Sequence, residues 1–170
     1  LYAPPEAFNP EADEIRIAFD GDAVLFSEDS EVIYKQQGLD AFLEHEKIFA
    51  DLPLPEGPFG RVLKTLSRIK SLSTEPLVRI ALVTARDRPA HERVILTLRS
   101  WGVTVDEAYF LGGLSKNQVL KAFNAHIFFD DQDKHAGPAS EHVPSARVPY
   151  RTTSELFDKD APRPDNRNQE

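Results

Sequence analysis

The chain has 170 residues, 41% hydrophobic and 28% charged, which is typical of a single globular domain. Its net charge of −8 and the lack of a Lys/Arg-rich run argue against nucleic acid or an anionic membrane surface as the main partner. The absence of cysteine excludes disulfides, thiolate metal sites and a cysteine nucleophile. No apolar run is long enough to cross a membrane, and we expect a cytoplasmic protein.

Both ends of the chain differ in composition from its middle. Prolines interrupt residues 1–14, which predicts an irregular lead-in. Residues 158–170 are polar, charged and proline-bearing, which predicts a disordered tail. The folded domain is therefore expected over 15–157. Methionine is absent even at position 1, which predicts a fragment, a processed product or a chain without its natural start.

The first predicted strand covers residues 15–19, a short apolar run rich in β-branched residues. The strand ends at Asp20-Gly21-Asp22, where two carboxylates lie side by side. Such a pair repels itself unless a cation lies between the carboxylates.

Two short apolar segments follow, at 23–26 and 31–34, on either side of a polar turn. This pattern predicts a β-hairpin flap beyond the first strand. Together with a short helix predicted at about 38–47, the hairpin would belong to an insert over about 23–72. We expect this insert to form a flap and a small helical cap that cover the site.

The rest of the chain alternates helices and strands. Apolar residues at helical spacing predict further helices at 58–72, 90–101 and 116–124. Wholly apolar runs predict strands at 77–83, 107–111 and 127–129, with a last strand near 146–150. This alternation predicts an α/β fold in which helices cover both faces of a parallel sheet.

Polar side chains that can carry out chemistry follow several of these strands. They are Asp20, Asp22, Thr84, Lys116, Asp130 and Asp131. In an open α/β sheet, ligands bind beyond the carboxyl ends of the strands, so we expect these side chains to meet there. Phosphoryl transfer uses such a set: one carboxylate attacks phosphorus and a second protonates the leaving alcohol. Mg²⁺ binds carboxylates, while a lysine, a hydroxyl and the backbone N–H groups of Ala85 and Arg86 bind phosphoryl oxygens.

The order of these residues resembles the four motifs of the haloacid-dehalogenase (HAD) phosphatase superfamily. The motifs here are Asp20-Gly21-Asp22, Val83-Thr84-Ala85-Arg86, Lys116 and Phe128-Phe129-Asp130-Asp131. Within that superfamily, four segments are similar to the cytosolic 5′-nucleotidase I family: IAFDGDAVLFSEDSE, LVTARDRPAHERVILTLRSWGV, DEAYFLGGLSKNQVLKAF and HIFFDDQDKH. They span most of residues 15–135.

The resemblance implies a three-layer, Rossmann-like HAD fold and Mg²⁺-dependent hydrolysis of nucleoside 5′-monophosphates such as AMP or IMP. It implies that Asp20 is the nucleophile and that Asp22 is the general acid and then the general base. The phosphate ligands would be Thr84, Ala85, Arg86 and Lys116. The metal ligands would be Asp20, Asp130 and the main-chain carbonyl of Asp22. Asp131 would bind the metal through a water molecule or contact its ligands without touching the metal.

Two aromatic residues of the insert, Phe26 and Tyr34, are candidates for covering the substrate, since aromatic rings can stack on a base. Packing within the insert is the alternative for both.

Other functions remain open. One is a HAD phosphatase that acts on another small phosphorylated substrate. A second is a phospho-receiver domain, although the order of its acidic motifs is the reverse of the order here. A third is an incomplete, non-catalytic binding fragment, because the resembled family has a sizeable region before the Asp-x-Asp strand and only 14 residues precede it here. A homo-oligomer, or association with a missing N-terminal region, is left open in the same way.

Overall fold

The computed structural model describes residues 13–75 and 77–157. Its strands are β1 (Ile15–Phe19), β2 (Val78–Thr84), β3 (Glu107–Phe110), β4 (Ile127–Asp130) and β5 (Ser145–Arg147). Its helices are α1 (Asp29–Gln37), α2 (Leu39–Ile48), α3 (Gly60–Leu72), α4 (His91–Ser100), α5 (Asn117–Phe123) and α6 (Asp133–Ala139). The predicted tail and most of the predicted lead-in lie outside the described residues.

The five strands form one parallel sheet in the order β3-β2-β1-β4-β5. Strand β1 is central, and its Ile17 pairs with Ile80 on one side and Ile127 on the other. The carboxyl ends of β1, β2 and β4 therefore meet at one edge of the sheet. All five strands predicted for the parallel sheet are confirmed, each within a few residues.

Side chains of the central strands alternate between two cores, one on each face of the sheet. Phe19 and Leu82 belong to a core that includes Leu63 of α3. Ala18, which precedes Phe19 on β1, belongs to a second core together with Leu120 of α5. Burial on both faces explains why these strands are continuous apolar runs rather than alternating ones. The predicted α/β fold, with helices on both faces of the sheet, is confirmed.

The predicted β-hairpin flap is wrong. Residues 31–34 lie within helix α1, and the segment after Asp20 is a wide turn, Gly21–Leu25, closed by a 2.9 Å hydrogen bond from Phe26 N–H to the Gly21 carbonyl. Helix α1 packs against α2, so this part of the insert is a helix pair. The apolar residues of 31–34 suit a strand, but four residues are too few to establish a period. Asp29 and Glu31 in the first turn and Lys35 in the last complement the helix dipole.

The two predicted cover residues have different positions. Phe26 is completely buried and packs against Trp101, with ring centroids 5.5 Å apart, so this core residue cannot stack on a substrate. Tyr34 is 42% exposed and meets Phe42 edge to face. The covering role of Tyr34 stays a prediction.

Helix α6 is absent from the sequence predictions, because Gly137 and Pro138 within it obscure its helical pattern. Across 13–75 and 77–157, none of the helices has both the length and the apolar character needed to span a bilayer.

Candidate active site

Two of the predicted carboxylates are brought together by the pairing of β1 with β4. Phe19, the last residue of β1, is in register with Phe129 of β4. The residue after each is an aspartate, and Asp20 N–H donates to the Phe129 carbonyl at 2.8 Å. Asp20 and Asp130 therefore leave the sheet side by side, as their positions at strand ends predict.

A buried lysine lies between these two carboxylates. Lys116 precedes α5, and its Nζ donates to Asp20 Oδ1 at 2.6 Å and to Asp130 Oδ2 at 2.7 Å. Burial lowers the pKa of Lys116, but Asp20 and Asp130 outweigh it and raise the pKa to about 12. The ammonium group is therefore charged at physiological pH and fixed at the site.

Asp131 adds a third buried carboxylate. Among the described residues, Asp20, Asp130 and Asp131 form a group whose carboxylate oxygens lie within 4.8 Å of one another. Burial raises the pKa of Asp20 well above 3.8, with Lys116 opposing and the two neighbouring carboxylates adding to the rise. Burial also raises the pKa of Asp131 to about 6, while a hydrogen bond from Tyr150 opposes it.

This carboxylate group fits a hard divalent cation. Asp131 Oδ2 accepts a hydrogen bond from the Tyr150 hydroxyl, whereas its buried Oδ1 has no partner within 13–75 and 77–157. An unsatisfied buried oxygen and mutual repulsion are both costly. A cation with oxygen ligands would relieve both, so the side chains of Asp20, Asp130 and Asp131 could hold a metal.

Asp22 has a separate environment. Arg86 binds its carboxylate through two hydrogen bonds, from Nε to Oδ2 at 2.8 Å and from Nη2 to Oδ1 at 2.7 Å. The Asp22 carboxylate is therefore not part of the metal-binding group found among the described residues. Its main-chain carbonyl as a metal ligand stays a prediction.

Thr84 lies next to the turn that carries Asp20 and Asp22. It ends β2, is buried, and its Oγ1 accepts a hydrogen bond from Arg86 N–H at 3.2 Å. A Cβ on Gly21 would lie 3.2 Å from Thr84 Oγ1, so a glycine at that position permits this close approach. Ala85 follows as an exposed residue at the same edge of the sheet.

The Arg86 guanidinium makes its contacts within the protein. Besides Asp22, it donates to Glu46 and, at 3.4 Å, to the Ala90 carbonyl. Burial lowers the pKa of Arg86, but the two carboxylates outweigh it and raise the pKa above its ordinary value. The predicted contact between this side chain and phosphate stays a prediction.

Sequence reasoning missed two residues near the site. Tyr150 follows β5, and its position just beyond a strand end was the signal that could have identified it. Glu46 lies on α2 and is buried against Arg86 and Arg93. A glutamate within an amphipathic helix carries no sequence signal that distinguishes a buried from an exposed side chain.

Comparisons with known proteins identify a family and a relative to which the chain is similar. Residues 1–155 match the profile of the 5′-nucleotidase family. Over 129 residues, the chain is 43% identical to human cytosolic 5′-nucleotidase 1B, an alignment covering 72% of this chain and 21% of that protein. The chain thus spans about a fifth of the length of this relative. No solved structure gives a significant match.

Proposed function

Because the chain belongs to the 5′-nucleotidase family, we propose that it hydrolyses nucleoside 5′-monophosphates, such as AMP or IMP, to nucleoside and inorganic phosphate. The observation that carries this proposal is the buried Lys116 between Asp20 and Asp130, with a second carboxylate two residues after Asp20. This arrangement offers a nucleophile, a proton donor and a fixed cation at one edge of the sheet. The cytosol is the proposed location, in line with the name of the human relative.

Asp20 is the proposed nucleophile. One of its carboxylate oxygens attacks phosphorus and forms an aspartyl-phosphate, while the bond between phosphorus and the 5′ oxygen breaks. Lys116 and the Thr84 hydroxyl, with the Ala85 backbone N–H, stabilise the phosphoryl oxygens. Water then attacks the same phosphorus, the bond to Asp20 breaks, and inorganic phosphate leaves.

Asp22 is the proposed proton carrier. It gives a proton to the departing 5′ oxygen in the first step and takes one from the attacking water in the second. An alkoxide is a poor leaving group, so the first of these transfers is essential for a nucleotide. Arg86 binds both oxygens of this carboxylate, so one of the two hydrogen bonds must open for an Asp22 oxygen to carry the proton.

Mg²⁺ is the proposed cofactor, held by Asp20, Asp130 and Asp131. When bound, it would reduce repulsion between the attacking carboxylate and the phosphoryl group. The chemistry of the three carboxylates and the unpartnered Asp131 Oδ1 support this assignment. Lys116 supplies one positive charge to this group of three buried carboxylates, so a divalent cation would balance the remaining charge.

The proposed cofactor predicts a pH-dependent stabilisation. The pKa of Asp131 is about 6 in the folded chain, against an ordinary value of 3.8. The folded chain therefore binds more protons in this range, and this group makes the free energy of unfolding fall as pH rises from about 4 to about 6. Since Mg²⁺ binds ionised carboxylates, we expect it to raise the thermal midpoint by about 5 °C at pH 8 and by less than about 1 °C at pH 4.5.

The measurement is thermal unfolding with MgCl₂ or with EDTA, and KCl at matched ionic strength controls for screening. An equal shift at both pH values would contradict the assignment of the cation to these carboxylates.

Phosphate release tests the proposed activity directly. The chain is incubated with a panel of nucleoside 5′-monophosphates and sugar phosphates, in Mg²⁺ or in EDTA. We expect kcat/KM for the preferred nucleotide to exceed that for sugar phosphates by at least about tenfold. EDTA should reduce release by about 100-fold or more, since the carboxylates would then repel the phosphoryl group. Absence of release from every nucleotide would refute the proposal.

A further inference from the structure

A buried glutamate joins the helix pair α1–α2 to the residues of the candidate active site. The Glu46 side chain, on α2, is completely buried. Its Oε1 accepts hydrogen bonds from Ser30 Oγ of α1 at 2.8 Å and from Arg93 Nη1 of α4 at 2.9 Å. Its Oε2 accepts a hydrogen bond from Arg86 Nη1. Two helices of the insert and one helix of the sheet domain therefore meet at a single carboxylate.

Arg86 carries this connection to Asp22. The guanidinium is 2% exposed and lies between two carboxylates, with Nε and Nη2 on Asp22 and Nη1 on Glu46. It also lies over the ring of Phe42 from α2, 5.2 Å from the centroid. Because the guanidinium is a rigid plane, fixing Nη1 also fixes the orientation of the two nitrogens that bind Asp22.

The carboxylates and guanidinium groups of this cluster balance in charge, and His45 Nδ1 also lies 3.1 Å from Glu46 Oε1. Asp22 and Glu46 contribute two carboxylates, and Arg86 and Arg93 contribute two guanidinium groups. Burial raises the pKa of Glu46, but Arg86, Ser30 and Arg93 outweigh it and hold the pKa below its ordinary value. Glu46 is therefore an anion in the folded chain. Ionised groups this deeply buried are costly unless each has a partner, and here each has one.

We propose that Glu46 is a positioning residue for Asp22: it acts through Arg86 and couples helix pair α1–α2 to the Gly21–Leu25 turn. The inference rests on the proposed function for the role of Asp22 as proton donor. Glu46 does not touch the substrate. Its effect is on the orientation of the Asp22 carboxylate, and placement errors of about 1 Å in such groups cost about 100-fold in rate.

A comparison of leaving groups separates positioning from mere structural support. Glu46→Gln keeps the shape of the side chain and removes its charge. We expect kcat/KM for a nucleoside 5′-monophosphate to fall by about 100-fold. For p-nitrophenyl phosphate, whose phenolate leaves without protonation, we expect a change of less than about threefold. The ratio kcat/KM is used because it reports the step in which the leaving group departs.

The matched control is Glu44→Gln, which changes an exposed glutamate on the same helix. It should leave kcat/KM unchanged for both substrates. Because Glu46→Gln leaves two buried cations with one anion fewer, the double variant Glu46→Gln with Arg93→Gln is made as well. It keeps the charge balance. Its loss in kcat/KM should again be large for the nucleoside 5′-monophosphate and small for p-nitrophenyl phosphate. Glu44→Gln with Arg99→Gln, both exposed on α2 and α4, is its control.

Amide hydrogen exchange supplies a readout that does not depend on activity. Glu46→Gln should speed exchange in residues 21–26 by at least about tenfold, and Glu44→Gln should not. Equal losses on both substrates, no loss on either, or unchanged exchange in 21–26 would each overturn the inference. Faster exchange in a chain whose parent hydrolyses no nucleotide would refute the proposed function and still support the coupling.

Discussion

Replacing Asp20 with asparagine should abolish phosphate release from nucleoside 5′-monophosphates, with a loss of at least about 10⁴-fold in kcat. The amide has nearly the shape of the carboxylate but cannot attack phosphorus to form the aspartyl-phosphate. Asp20 follows the central strand β1, where its main-chain N–H is fixed by the Phe129 carbonyl, so the substitution leaves the backbone in place. The measurement is steady-state phosphate release with saturating Mg²⁺.

Stability distinguishes this loss from unfolding. Burial raises the pKa of Asp20, which means that the folded chain disfavours its ionised form. Asp20→Asn should therefore not lower the thermal midpoint of the metal-free chain at pH 8. Asp40→Asn, an exposed change on α2, is the matched control and should keep full activity. More than about 1% residual kcat in Asp20→Asn would contradict the role of Asp20 as nucleophile.

Lys116→Met should destabilise the metal-free chain by about 3–5 kcal/mol, because it removes one partner from a buried ionic group. The Lys116 side chain is 2% exposed and binds both Asp20 and Asp130. Without the ammonium group, Asp20 and Asp130 lose the cation with which both form ion pairs. We also expect kcat/KM to fall by about 10³-fold, since a cation facing the phosphoryl oxygens is lost.

Urea unfolding with and without Mg²⁺ measures the first effect. Mg²⁺ should restore part of the lost stability in Lys116→Met, because it supplies positive charge to the same carboxylates. Lys121→Met, an exposed lysine on α5, is the control and should change neither stability nor rate. If Lys116→Met were as stable as its parent in EDTA, the prediction would be wrong, because the negative charge of the carboxylates would then not depend on Lys116 for its neutralisation.

The positions of the main site residues could be predicted because each depends on local sequence. Asp20, Thr84 and Asp130 each lie at or just after the end of a continuous apolar strand, and the apolar runs identify those strands. In a parallel sheet, strands enter from one edge and leave at the other. Predicting where the strands end was therefore enough to predict that these three residues lie at the same edge of the sheet.

The helix pair could not be predicted in the same way. The apolar residues at 31–34 suit a strand or a helix equally well over so short a segment. The structure has a helix there because α1 packs against α2 and buries Ser30 against Glu46. Tertiary contacts override local propensity when neither pattern is long. Tertiary packing likewise determines the position of Phe26, which was predicted to cover the substrate but packs on Trp101.

By itself, the sequence determined the parallel α/β architecture and the order in which carboxylates, hydroxyl and lysine reach one edge of the sheet. Only the tertiary structure decided which partner each charge takes. Lys116 binds the two carboxylates Asp20 and Asp130, while Asp22 pairs with Arg86 and, through it, with Glu46. The physical reason is that buried charges must be balanced by whichever groups the fold brings within reach. Those groups come from segments far apart in the chain, so no local sequence pattern predicts which of them form ion pairs.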